Sequence, residues 1–255
     1  MAVISDVHLG TYGCHADELI TYLNSIQPKK LILNGDIIDI WQFSKRYFPP
    51  SHLKVLRKII GMASKGVEVY YITGNHDEML RKFSNTSMGN FKVMDKLVLN
   101  LDGKKAWIFH GDVFDVSIQN AKAVKYINNF EKTAADLAIE NEYDYVVCGH
   151  IHQPKKEVYE NKYGSCTYLN SGDWVENLTA LEYSFKRWKI YHYNHDRLSP
   201  FFMDEDLKEM DMNDLIASIT DKEVNIQDVT EEHLSEKKEE NIETDFLDDK
   251  GLSQD

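Results

Sequence analysis

Apolar positions along the first two hundred residues follow two rhythms. Short runs of aliphatic and aromatic types read as strands: Ala2-Val3-Ile4-Ser5, Leu31-Ile32-Leu33, residues 67–73, Ala106-Trp107-Ile108-Phe109 and Tyr145-Val146-Val147-Cys148. Stretches of helical spacing lie between them. Residues 15–26 place Leu19, Ile20, Leu23 and Ile26 on one face and stop at Gln27-Pro28. Ser51 is expected to cap a helix that turns Leu53, Leu56, Ile59, Ile60 and Ala63 inward and that Gly66 closes. Ala123–Glu140 is amphipathic and predicted helical. Residues 91–101 read as a strand returning through the hairpin turn Asp102-Gly103. Beyond residue 150, segments 157–159, 167–170, 179–183 and 188–193 alternate as an antiparallel run. Strands alternating with helices, then a run of strands, predict an α/β chain with two sheets packed face to face and helices outside.

The pattern fades after residue 202. Residues 203–255 hold 19 acidic and 5 basic side chains, a net charge of -14 out of the whole chain's -13. They are expected to form a solvated acidic tail, helical in part over residues 206–219 and otherwise disordered. Residues 1–202 are then a nearly neutral single domain, which argues against nucleic acid as a partner because that needs a basic face. Three cysteines, Cys14, Cys148 and Cys166, give an odd count without metal-like spacing, so the expected compartment is the reducing cytoplasm. No apolar run approaches the roughly 18 to 20 residues that span a bilayer, while peripheral contact at the inner membrane face stays open.

Polar residues punctuate the strand ends in a repeated way. Asp6-Val7-His8 follows the first strand, Asp36 and Asp39 the second, Asn75-His76-Asp77 the third, His110 the next, and His150-Ile151-His152 the one after. Any one of these could be a helix cap or a packed imidazole. Five in succession at the carboxyl ends of strands, where α/β folds bind ligands, point to one rim. Carboxylate and amide oxygens with imidazole nitrogens suit divalent ions of the manganese, iron and zinc series. Asp6, His8, Asp36, Asn75, His110, His150 and His152 are too many donors for one ion and suit two, about 3.5 to 4 Å apart, as used for displacement at phosphorus. In extended backbone, residues i and i+2 leave on one face, so the Asp6–His8 and His150–His152 pairs are expected to converge.

Asp6-x-His8, Gly35-Asp36-x-x-Asp39, Gly74-Asn75-His76-Asp77, His110 and Gly149-His150-x-His152, in this order, resemble the calcineurin-like metallophosphoesterase signature over residues 2–193. The resemblance implies a four-layer α-β-β-α sandwich of two mixed sheets. It also implies Asp6, His8 and His152 on one ion, Asn75, His110 and His150 on the other, and Asp36 bridging. His76 would contact phosphate or protonate the leaving oxygen, with Asp39 orienting it. Two divalent ions are implied as cofactors, manganese foremost, with iron or zinc as alternatives.

Within that superfamily, Gly35-Asp36-x-x-Asp39-x-Trp41 with Gly172-Asp173-Trp174 resembles the UDP-2,3-diacylglucosamine diphosphatase branch. That branch implies hydrolysis of a nucleotide-linked lipid diphosphate to a lipid monophosphate and UMP. Trp41, with Phe43, Tyr47 and Phe48, would line an apolar groove for the lipid, or else pack beneath the loop. Two features depart from the branch: His76 stands where its best-known enzyme has Arg, and only 39 residues separate His110 from His150, where a helical lid is expected. An open site, or a segment missing near Lys122, would account for the second. Two alternatives remain beside the lipid reading: a phosphodiesterase or phosphatase acting on a soluble nucleotide or phosphoester, and a non-catalytic scaffold of the same fold. No protein partner is legible.

Overall fold

The structure, a computed structural model, describes residues 1–40, 47–114 and 123–193, with backbone alone at 123–129. Trp41, Phe43, the junction near Lys122 and the acidic tail with its expected helix lie outside the described residues.

Among the described residues, twelve strands build two mixed sheets. The larger contains β1 (Ala2–Ile4), β2 (Lys30–Asn34), β3 (Glu68–Ile72), β4 (Thr86–Met88), β5 (Phe91–Met94), β11 (Thr179–Ser184) and β12 (Arg187–His192). Its order is β12-β11-β1-β2-β3-β5-β4, with β1, β2, β3 and β5 parallel. The smaller contains β6 (Lys96–Leu101), β7 (Lys104–Phe109), β8 (Tyr145–Cys148), β9 (Lys155–Asn161) and β10 (Gly164–Asn170), in the order β6-β7-β8-β10-β9.

Side chains that alternate along each strand feed three separate cores, which together define four layers. From β1, β2 and β3, Ala2, Ile4, Leu31, Leu33, Val69 and Tyr71 meet helices α1 (Ala16–Ser25) and α2 (Pro50–Ser64). The intervening Val3, Ile32, Tyr70 and Ile72 point the other way and meet Leu97, Ala106, Ile108, Tyr145 and Val147 of the smaller sheet. On that sheet's far face Phe109, Val146, Cys148 and Tyr168 pack on Phe130, Ala134 and Ala138 of α3 (Ala123–Glu140). The expected α-β-β-α sandwich is therefore present.

Several local expectations change. Residues 91–101 are two strands in different sheets, separated at Asp95. The run beyond residue 150 is likewise two hairpins: β9–β10 in the smaller sheet, where β10 also pairs parallel with β8, and β11–β12 in the larger. Helix α2 starts at Pro50, whose fixed φ and missing N–H suit a first turn, and Ser51 does not cap it. Of the residues expected inward, Ile59 is buried and Leu56 and Ala63 pack part-buried on the core, whereas Leu53 and Ile60 are exposed and His52, Val55 and Met62 complete the buried face. Two turns match their reading: Gly66 follows α2 with φ +98°, and Asp102-Gly103 turns the β6–β7 hairpin with φ +53° and +90°.

Candidate metal centre

All five polar strand ends meet at one edge of the sandwich, but not by strand alternation. β1 ends at Ile4 and β8 at Cys148, ahead of the polar pairs. Asp6, His8, Asp36, His150 and His152 all have positive φ, between 51° and 68°. The left-handed conformation costs a residue with a side chain about 1–2 kcal/mol, so five together are held by the surrounding structure. The restraint is visible. The loops after β1 and β2 zip together: Asp6 N–H donates to Gly35 O (3.1 Å), Val7 and His8 N–H to Asp36 O (3.0 and 2.9 Å), and Leu9 N–H to Ile37 O (2.9 Å). Val7, between the two left-handed residues, is fully buried. The expected convergence of i and i+2 holds for Asp6 and His8, produced by paired left-handed turns around buried Val7, whereas His150 and His152 part, His150 toward Asp36 and His110 and His152 toward Asp6 and His8.

Three clusters of donors result among the described residues. Ligand atoms of Asp6, His8 and His152 lie within 4.8 Å of one another, as do those of Asp36, His110 and His150, and those of His8, Asp39 and His76. In the first, Asp6 Oδ1 is 3.3 Å and His8 Nε2 3.4 Å from His152 Nε2. In the second, His110 Nε2 is 3.2 Å from Asp36 Oδ2, and the His110 and His150 rings meet edge-on at 5.1 Å.

The orientation of these groups tests whether an ion fits. His110 Nδ1–H donates to the Asn34 carbonyl (2.9 Å), which leaves the Nε2 lone pair facing the site in the neutral ring. That Nε2 is buried and makes no directed hydrogen bond, despite its short approach to Asp36. Asn75 Oδ1 is likewise buried without a hydrogen-bond partner among the described residues. Asn75 sits between Gly74, packed on the Asp36 carboxylate, and His76, whose N–H donates to Asp36 Oδ1 at 2.8 Å. A buried acceptor without a donor is costly, and Asn75 Oδ1 together with buried carboxylates and imidazoles forms a set that divalent cations satisfy. The residues present therefore fit a pair of ions.

Charge in the metal-free protein follows the same geometry. Burial opposes ionisation of Asp6 and Asp36, yet His152 and His110 hold both carboxyls below their usual range. Burial would also lower His110, but the Asp36 and Asp6 carboxylates push it up to about 10. His152 is raised by Asp6 against its own burial, whereas burial lowers His8.

Asp39 and His76 stand beside the first cluster. Asp39 is buried, and its Oδ2 lies 3.1 Å from His76 Nδ1 and 4.0 Å from His8 Nδ1. The His76 and His8 rings meet edge-on at 4.7 Å. The His76 side chain is 38% exposed, which puts it at the open side of the site.

Two glycines are required by close approach. A Cβ on Gly35, at φ +83°, would lie 2.2 Å from His110 Nδ1, and one on Gly74 2.2 Å from Asp36 Oδ1. Both stand in the motifs read from the sequence. Other supports carried a weaker signal. Asp77, the last residue of the third motif, accepts from Ile37 N–H (3.0 Å), Gly74 N–H (2.6 Å) and the Tyr71 hydroxyl (2.6 Å) and so fixes the turn. Asp173 accepts the N–H of Val175 (2.8 Å) and Asn177 (3.2 Å), and the Asn177 side chain donates to the His152 carbonyl at 2.8 Å. The visible sign of that brace is an Asp opening a turn, which alone implies no site. Arg81 pairs with Asp112 and links the segment after His76 to the loop after His110. Of the loop aromatics, Phe48 packs against the core and His52, and Tyr47 stacks on Tyr12.

The family model of the calcineurin-like phosphoesterase superfamily domain matches residues 1–191. A UDP-2,3-diacylglucosamine hydrolase of Blochmanniella pennsylvanica is 26% identical over 250 positions, covering 74% of this chain and 98% of the relative. One from Aliivibrio fischeri is 25% identical, covering 74% and 96%. One from Porphyromonas gingivalis is 32% identical over 117 residues, covering 42% and 44%. In the first match, 74% of 255 residues is about 189, fewer than the 250 aligned positions, so that relative carries stretches without a counterpart here. Among the described residues, no helix is long and apolar enough to cross a membrane.

Proposed function

Because the chain belongs to the calcineurin-like phosphoesterase superfamily, we propose that this metal-dependent phosphohydrolase cleaves the diphosphate of UDP-2,3-diacylglucosamine, releasing a lipid monophosphate and UMP. The observation that carries the chemistry is the set of Asp/His clusters aimed at one edge of the sandwich, with Asn75 Oδ1 left as a buried, unmatched acceptor. What supports the substrate is the near-complete coverage of relatives so named.

In this reading Asp6, His8 and His152 would hold one ion and Asn75, His110 and His150 the other, with Asp36 available to both. Two such ions, manganese foremost and iron or zinc by the same donors, would supply charge that polarises phosphate and water near neutral pH. The chain's own residues do the rest. Asp39 accepts from His76 Nδ1, fixing the ring so that Nε2 can deliver a proton to the leaving oxygen. The site would work in the cytoplasm on a substrate reached at the inner membrane face. A second reading, a soluble nucleotide or phosphoester as substrate, is favoured by the short span from His110 to His150, which leaves little chain for an apolar lid.

The deciding assay uses purified, manganese-loaded protein on UDP-2,3-diacylglucosamine, with bis-p-nitrophenyl phosphate as a generic diester. Fast UMP release beside slow generic turnover is the expected result. Generic turnover without UMP keeps the phosphohydrolase and discards the lipid; inactivity on both with metals bound turns the reading toward a scaffold.

A further inference from the structure

Tyr12 is 85% exposed, the barest large hydrophobic side chain among the described residues, yet it is not isolated. Its ring centroid lies 3.9 Å from that of Tyr47 at an interplanar angle of 32°, so one face is covered and the other is open to solvent. The pair is braced from below. Tyr47 meets the His52 ring edge-on at 6.0 Å, and Phe48 meets the same ring at 5.5 Å. His52 is buried, and its Nδ1 accepts the Gly10 N–H at 2.9 Å. Gly10 belongs to the turn that carries His8, and Thr11 closes it, its N–H and hydroxyl both donating to the His8 carbonyl at 3.1 and 2.9 Å. The bare aromatic face is thus fixed to the backbone of a candidate metal ligand. Four residues of fully extended chain reach at most about 14 Å, and this turn is shorter, so the backbone carrying the face starts close to that of His8.

We infer that Tyr12, backed by Tyr47, is the platform on which the heterocycle of the nucleotide half of the substrate stacks. This rests on the reading that the site cleaves a nucleotide diphosphate, and adds where the base goes. Exposed aromatic faces beside phosphate-binding groups suit bases, because every base has a π-face and stacking needs no hydrogen-bond match. A loop-packing role alone would leave the outer face without a use. Stacking of one base on an aromatic ring strengthens binding by about 5- to 100-fold.

The test measures equilibrium binding of UMP and of ribose 5-phosphate, which lacks the base, to the manganese-loaded full chain. The wild type is expected to prefer UMP at least about fivefold. Tyr12→Ala should erase that preference while leaving ribose 5-phosphate affinity within about twofold, and Tyr12→Phe should keep it. Equal affinity of the two ligands for the wild type, no binding of UMP, or a preference that survives Tyr12→Ala would each overturn the platform. Turnover of bis-p-nitrophenyl phosphate by the wild type separates the two failures. A chain that cleaves it without base preference loses the platform and remains a phosphohydrolase; a preference for UMP without any hydrolysis keeps the platform and removes the activity.

Discussion

At the scale of single residues, the site combines strained backbone with buried charge, and the two predict different mutant behaviour. Asp36 touches both His110 and the His76 backbone and is buried. Asp36→Ala should therefore abolish metal binding and activity together. His76 contacts Asp39 from the open side, so His76→Ala should bind metal as the wild type does and lose about 10²- to 10⁴-fold in rate, the range of a general acid. Metal content by elemental analysis beside turnover decides it; parallel loss of metal in both variants would refute the assignment of His76. Gly35→Ala is a third case. Its Cβ would strike the His110 ring at 2.2 Å on a backbone with φ +83°, so metal affinity should fall about 10- to 100-fold, as when a ligand's supporting contact is removed. The identities of all these residues were legible because polar types recur at strand ends. The left-handed backbone that aims Asp6, His8, Asp36, His150 and His152 was not, since tertiary contacts impose it against local preference.

At the scale of elements, helix α2 shows how periodicity can misplace the edges of a buried face. The apolar spacing turns Leu53, Leu56, Ile59, Ile60 and Ala63 inward, and the structure buries Ile59, packs Leu56 and Ala63 part-buried on the core and leaves Leu53 and Ile60 exposed. Pattern alone passes over His52, because a histidine does not read as a core residue. The structure rotates the face toward it, because His52 satisfies its polar nitrogen on the Gly10 N–H and so can sit at the core with Val55 and Met62. Ile59→Ala should cost about 2–4 kcal/mol, whereas Ile60→Ala, at a side chain 59% exposed, should stay within about 0.5 kcal/mol. Urea unfolding of the two variants compares the faces directly, and equal losses would contradict the packing. The split at Asp95 was hidden for a related reason. An apolar run records burial but not which sheet a strand joins, and Thr73, whose hydroxyl donates to Asp95 at 2.9 Å, is distant in sequence. The four-layer architecture was legible nonetheless, because two-residue alternation on both faces of β1, β2, β3, β7 and β8 requires a core on each side.

At the scale of the molecule, the candidate centre joins the two sheets. Asp6, His8, Asp36 and Asn75 follow strands of the larger sheet, and His110, His150 and His152 follow strands of the smaller. Bound ions would therefore cross-link the layers, while without them protons perform part of that task. His110, pushed up to about 10 by Asp36 and Asp6 against its own burial, is protonated in the metal-free fold at pH 8, whereas in the unfolded chain it is largely neutral. A folded-state pKa above the unfolded value stabilises fully below about 6.5, and that stabilisation is lost as pH rises through about 10. Metal binding needs the neutral imidazole, so loading at pH 8 must expel this proton, and affinity must climb with pH across the same window. Two measurements follow. Titration calorimetry with manganese at pH 8, in buffers of different ionisation enthalpy, should report net proton release. The gain in Tm on loading should also widen from pH 6.5 to pH 9, as the metal-free protein loses its proton bridge and the loaded protein does not. Buffer-independent heats with a constant gain in Tm would mean that His110 is already neutral in the metal-free fold, and that the sheets are held at this edge by packing alone.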